Sequence, residues 1–195
     1  MSVPVESGLG SPAATLQPIR PDDPRFSSCG TLLLPQDDPS AFGPQDAELH
    51  FDADGHPRFY LMRLRRRPPV LAAMTSHQRV SQCLGSADAQ AWWLAVAPPG
   101  PPRADGSIAS EQVLLVKMLP GEGVKLHPGT WHAGPFLNTA SALFFNLELR
   151  TTNEDDHNCR SVDQPRPLAL ICRSSGPRDH AGPALQNIRA TLSER

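Results

Sequence analysis

The densest run of chemistry-bearing side chains is the segment from Leu119 to Pro135, where His127 and His132 flank Pro128-Gly129. In a strand, residues five apart point to opposite faces. A turn at Pro128-Gly129 resets that facing, so both imidazoles are expected to reach one pocket. Downstream, Ala142 to Leu149 alternates with period two. Leu143, Phe145, Leu147 and Leu149 share one face, and Phe144, Asn146 and Glu148 share the other. If the second face turns inward, Asn146 and Glu148 meet His132; if it turns outward, they meet water. A carboxylate beside imidazoles offers metal ligation or a general acid–base pair. The metal set would be His132, Glu148 and His77, or His127 in place of His77. Gln82 lies in the same stretch as His77, Thr75 to Ser86, which reads as a strand running into a turn. A histidine there is more often a hydrogen-bonded structural residue than a ligand. Arg63 and Lys125 are candidate holders of a substrate carboxylate, the arginine in bidentate fashion. Trp131, next to His132, is expected to pack on the opposite face. His50, His56, His157 and His180 stand in polar, loop-like contexts and are assigned no role. Arg63, Arg65, Arg66 and Arg67 precede Pro68-Pro69 and read as a strand end entering a solvated turn, in preference to a phosphate site.

Strands must position these residues. Thr31–Leu34, Phe59–Leu64, Ala91–Ala97, Gln112–Leu119, Thr130–Ala133 and Ala142–Leu149 are apolar runs separated by Pro/Gly/Asp turns. A further short strand lies between the turns at Pro120-Gly121 and Pro128-Gly129. Helical periodicity is almost absent from the middle of the chain, which predicts an all-β sandwich or barrel. Ala104 to Glu111 reads as a loop or single turn. Residues 1–13, rich in Ser, Gly, Pro and Ala, read as a tail, and 14–172 as the domain. Residues 173–195 read as a second tail with a short helix from Pro183 to Leu192.

Composition limits the function classes. The 195 residues suit one domain. With 39% hydrophobic residues, 19% charged residues and a net charge of −2, the chain suits a globular protein and lacks the basic footprint of a nucleic-acid or anionic-membrane partner. Twenty-two prolines argue against a helical bundle. No apolar run approaches the ~20 residues that span a bilayer. The first residues lack the basic and apolar regions of a signal peptide. Cys29, Cys83, Cys159 and Cys172 form no C-x-x-C pair, so free thiols in a cytoplasmic protein are expected.

Gly121, Gly129 and His132 fall at glycine and histidine positions of a pattern that resembles the second cupin motif, G-x5-P-x-G-x2-H-x3-N. His127 stands at its proline position and Phe136 at its asparagine position, and the first cupin motif is not recognisable. The run Gly123-Val124-Lys125-Leu126-His127-Pro128-Gly129-Thr130-Trp131-His132 is similar to the ureidoglycolate lyase family, within the RmlC-like cupin superfamily. Phe144 to Glu148 and Asp156-His157-Asn158-Cys159 add to the similarity. Looser matches at Leu16–Ile19, Phe59–Arg63 and Gln82–Ser86 extend it over roughly residues 14 to 172. The resemblance implies a cupin-like double-stranded β-helix (jelly-roll) barrel with minor helical additions. It also implies a homodimer and cleavage of ureidoglycolate to glyoxylate and urea in allantoin breakdown. By position, His127 and His132 would line the site, Arg63 matches a strand arginine, and Glu148 replaces an Asp of the better-known bacterial members. Those members carry a further His where this chain has Ala133. They carry Arg-His where it has Ser81-Gln82 with Cys83 inserted, which places the chain in a divergent branch. The implied chemistry uses Glu148 or His132 as base, His127 as acid, and Arg63 or Lys125 as carboxylate anchor, with Asn146 and Gln82 contacting a small ureide or carboxylate. A divalent metal is the alternative activator. Rival readings are another cupin enzyme, a metal-dependent oxygenase or isomerase, and a non-catalytic cupin that binds a small ligand.

Overall fold

A computed structural model describes residues 14–38, 41–44 and 46–173. The tail expected over 1–13, and all of the C-terminal tail except Arg173, including the Pro183–Leu192 helix, lie outside the described residues. The strands are β1 Thr15–Leu16, β2 Pro18–Ile19, β3 Gly30–Leu33, β4 Pro57–Arg65, β5 Val70–Leu71, β6 Ala73–Ser76 and β7 Gln82–Ser86. They continue as β8 Trp92–Ala97, β9 Leu114–Met118, β10 Gly123–Leu126, β11 Trp131–Phe136 and β12 Ser141–Leu149. After the one-turn helix α1 Thr152–Asp155 come β13 Asn158–Ser161 and β14 Leu168–Leu170. Proline sets several boundaries: β8 stops at Pro98-Pro99, and β4 ends shortly before Pro68-Pro69. Proline donates no backbone bond to continue a ladder. The protein is therefore all-β, as its turn spacing predicts. No helix among the described residues is long and apolar enough to cross a membrane.

Three sheets form, ordered β1-β14-β5, β3-β10-β7-β12-β4 and β13-β6-β11-β8-β9-β2. The six-stranded sheet is the middle layer, and β8 explains why. All six of its residues are buried, yet alternation sends them to two different cores. Trp92, Leu94 and Val96 pack with Leu84, Val124, Leu126 and Phe144 of the five-stranded sheet. Trp93, Ala95 and Ala97 pack on the other side with Leu71, Leu168 and Leu170 of the three-stranded sheet. A strand covered on both faces reads as a continuous apolar run, and this one does.

The stretch Thr75 to Ser86 differs from the single strand expected. It divides into β6 and β7, which belong to different sheets, so the intervening loop 77–81 bridges two layers. Asp156 holds that loop, its carboxylate accepting from the amides of Gln78 (2.8 Å) and Arg79 (2.9 Å). The other bridge that matters is the corner between β10 and β11. There Gly129 has φ +81°, a left-handed conformation that glycine adopts without steric cost. A Cβ at that position would stand 3.0 Å from Gln78 Oε1. The Gly129 amide donates to the His77 carbonyl (2.6 Å), fastening this corner to the bridge loop.

Candidate functional site

The inward alternation of both large sheets carries an apolar core through most of its length and then turns polar. From β12, Ala142 and Phe144 sit in the core. Asn146 and Glu148, two and four residues beyond Phe144 on the same face, are also buried, each 2% exposed. The polar face of β12 therefore turns inward. Phe145, of opposite parity, is exposed and stacks on Phe59 of β4 at 5.5 Å between ring centroids. Tyr60 and Met62 come from β4 and Gln82 from β7; Thr75 comes from β6, with His77 just beyond it, and His132 from β11. These residues enclose a cavity of about 270 Å³ that Arg67, Asn153 and His157 complete. A second cleft, about 300 Å³, lies beside Trp131 and Gly100 and has Arg160 as its only ionisable lining residue. The concentration of titratable groups makes the first cavity the candidate site.

Its five-stranded wall is a connected hydrogen-bond network. Tyr60 Oη donates to Glu148 Oε1 (3.1 Å) and accepts from Asn146 Nδ2 (3.0 Å). Asn146 Nδ2 also donates to Glu148 Oε2 (3.0 Å), and Asn153 Nδ2 to Glu148 Oε1 (3.3 Å). Arg58 Nη1 stands 3.7 Å from the same carboxylate. Gln82 Nε2 donates to Asn146 Oδ1 (3.2 Å). Burial, opposed by the Asn146 hydrogen bond and helped by the Glu148 carboxylate, raises the Tyr60 phenol above its ordinary pKa and keeps its proton on.

The opposite wall carries imidazoles. His77 and His132 lie 5.1 Å apart and His77 and His157 5.8 Å apart, centroid to centroid. His132 Nδ1 pairs with the Thr130 carbonyl (3.1 Å) and His77 Nδ1 with the Asp156 carbonyl (2.6 Å). A carbonyl only accepts, so each Nδ1 carries a hydrogen and each Nε2 is left free of that contact. Burial, then the neighbouring His77, pushes the His132 pKa down to about 4. It is thus a neutral acceptor across the physiological range. Arg67 lies over the Phe136 ring, 4.4 Å from its centroid, close enough for a cation–π contact.

Of the residues expected at the site, His132, Glu148, Asn146, Gln82 and His77 meet in this cavity. His127, Arg63 and Lys125 do not line it. The Pro128-Gly129 turn does not reset His127, because that residue continues the alternation of β10. Leu126 is core, so Lys125 and His127 share the other face. The His127 amide remains tied to Cys29 O (2.9 Å), alongside β3, and its ring Nε2 pairs with Ser27 O (3.2 Å). Arg63 alternates with Met62 and Leu64 and is exposed with Phe59 and Leu61 on the outer surface of β4. Trp131 behaves as expected, packing in the second core with its indole donating to Gly100 O (3.1 Å).

The metal expected on His132, Glu148 and His77 does not fit these side chains as they stand. Both Glu148 oxygens already accept hydrogen bonds. Among the described residues no group of three His, Cys, Asp or Glu is disposed to hold a metal ion. Arg67, His157, Tyr60 and Asn153 are among the cavity residues that escaped the sequence analysis. Each lacked a usable signal, Arg67 as one of four clustered arginines, His157 and Asn153 in a polar stretch, and Tyr60 inside an apolar strand. No protein-family model matches the chain, and no curated protein is significantly similar to it.

Proposed function

We propose that this cavity is the active site of a ureidoglycolate lyase-like enzyme in a cupin-type barrel, cleaving ureidoglycolate to glyoxylate and urea. The observation that carries the reading is the placement of a half-buried, neutral imidazole, His132, opposite the carboxylate–amide network of Glu148, Asn146 and Gln82 in one small cavity. The reactive carbon of ureidoglycolate bears a hydroxyl, a ureido nitrogen and a carboxylate. His132 Nε2 takes the hydroxyl proton, the oxygen's electrons form the new carbonyl, and the C–N bond breaks toward nitrogen. An imidazole whose pKa is held low is a strong acid once protonated, so the same ring returns the proton to the departing urea nitrogen. No second acid is required, and the role expected of His127 passes to His132.

Glu148 serves as a positioning residue, because its oxygens are taken up by Tyr60, Asn146 and Asn153. The carboxylate anchor is Arg67 in place of Arg63, since Arg67 lines the cavity and a guanidinium matches a carboxylate in two parallel bonds. The resemblance adds a homodimer, which sedimentation equilibrium would register as twice the chain mass.

The test is glyoxylate release from ureidoglycolate above the spontaneous rate. Turnover by the purified protein, lost in His132→Ala, supports the proposal. Tight binding of ureides without turnover would make the protein a ligand-binding module. Turnover that appears only with added iron or manganese would return the metal-dependent alternative.

A further inference from the structure

Hydrogen-bond polarity runs through the network in one direction. A carboxylate accepts only, so Asn146 must present its Nδ2 to Glu148, which turns Oδ1 toward Gln82. Gln82 must then present Nε2 to Asn146, and its remaining amide atom, Oε1, is an acceptor. That Oε1 is buried and has no hydrogen-bond partner. Two other buried side-chain atoms share this state among the described residues, the indole nitrogens of Trp92 and Trp93, and both belong to the apolar cores. Gln82 alone of the three lines the cavity. The facing wall has the same character, since His77 and His132 spend their Nδ1 hydrogens on backbone carbonyls. An unpaired buried acceptor costs about 1–3 kcal/mol.

We propose that Gln82 is a specificity-determining residue. Its Oε1 selects ligands whose head group donates an N–H bond, and rejects isosteric ligands that lack one. This rests on reading the cavity as a site for small carboxylates, and it names the ureido N–H groups as what the site recognises. Glu148 sets the direction of selection from a distance, because it dictates which way both amides point.

The experiment is calorimetric titration of two ligands that cannot be cleaved, N-carbamoylglycine and 4-oxopentanoate. They share length, carbonyl and carboxylate, but CH₂ and CH₃ in the second replace NH and NH₂ in the first. The wild type is expected to bind the ureide about 10- to 100-fold more tightly, the factor corresponding to one unpaired buried acceptor. In Gln82→Met the preference should fall to within about three-fold, with the ketone bound no more weakly than before. Equal affinity of the wild type for both ligands overturns the inference, as does a variant that weakens both in parallel, the mark of a packing role. The wild-type comparison decides the matter even if the variant does not fold. Ureidoglycolate turnover without N–H preference sinks this inference alone. Preference without turnover sinks the lyase reading alone, and no binding of either ligand sinks both.

Discussion

At the scale of single residues, the proposed chemistry depends on the imidazole of His132. Its pKa of about 4 in the folded protein lies below the ordinary 6.5, so between these values the unfolded chain binds a proton that the folded chain does not. Stability therefore rises with pH across that window and is lost as pH falls from about 6.5 toward 4. Urea melts at intervals through this range should show a steeper acid loss for the wild type than for His132→Gln. The same shift predicts that kcat holds well below pH 6.5 and drops only near pH 4, where the ring loses its lone pair. The two arginines separate cleanly. Arg67→Met should raise KM by about 10-fold or more with kcat little changed, the signature of a lost ground-state contact. Arg63→Met and His127→Ala should leave both constants near wild type, since neither side chain lines the cavity. A steady-state comparison of the three variants checks this directly.

At the scale of elements, β12 shows what alternation reveals and where it stops. Phe144 is fully buried and meets Trp92 edge-on at 5.2 Å, while its neighbour Phe145 is 46% exposed. Phe144→Ala should cost about 3–5 kcal/mol. Phe145→Ala should cost about 1 kcal/mol, the worth of its stack on Phe59. Denaturant melts of the two variants measure the difference. The alternation itself was legible in the sequence, as were β8, β9 and the turns around them. Which face turns inward was not, because three of the four residues on the other face are leucines and the inner face carries Asn146 and Glu148. Hydrophobicity alone favours the opposite orientation, and the buried network with Tyr60 and Gln82 offsets that preference by satisfying the polar groups. His127 failed for a related reason. A proline–glycine pair predicts a turn, but it does not say that the residue before the turn keeps the facing of the strand it leaves. The loop 77–81 hid a change of sheet for the same cause, since crossing from one layer to another leaves no periodic mark.

At the scale of the whole molecule, three sheets and the two cores between them frame the cavity. The six-stranded sheet is clamped between two apolar cores, and the site opens where the first core gives way to polar side chains of the same inward alternation. Both walls thus stand on strands or on loops tied to them, which suits a reaction that needs an imidazole and a bound hydroxyl in fixed register. The fold class was legible because Pro/Gly turns and short apolar runs recur throughout. The middle layer was not, because a single chain shows that β8 is apolar on both faces without showing what covers them. Proton transfer by His132 in C–N cleavage is read most directly from the initial rate of glyoxylate formation from ureidoglycolate, corrected for spontaneous decay. Turnover by the wild type is expected, with a fall of about 10²–10⁴-fold in His132→Ala and ligand binding retained. Near-normal turnover in that variant, or none in the wild type, would contradict that transfer.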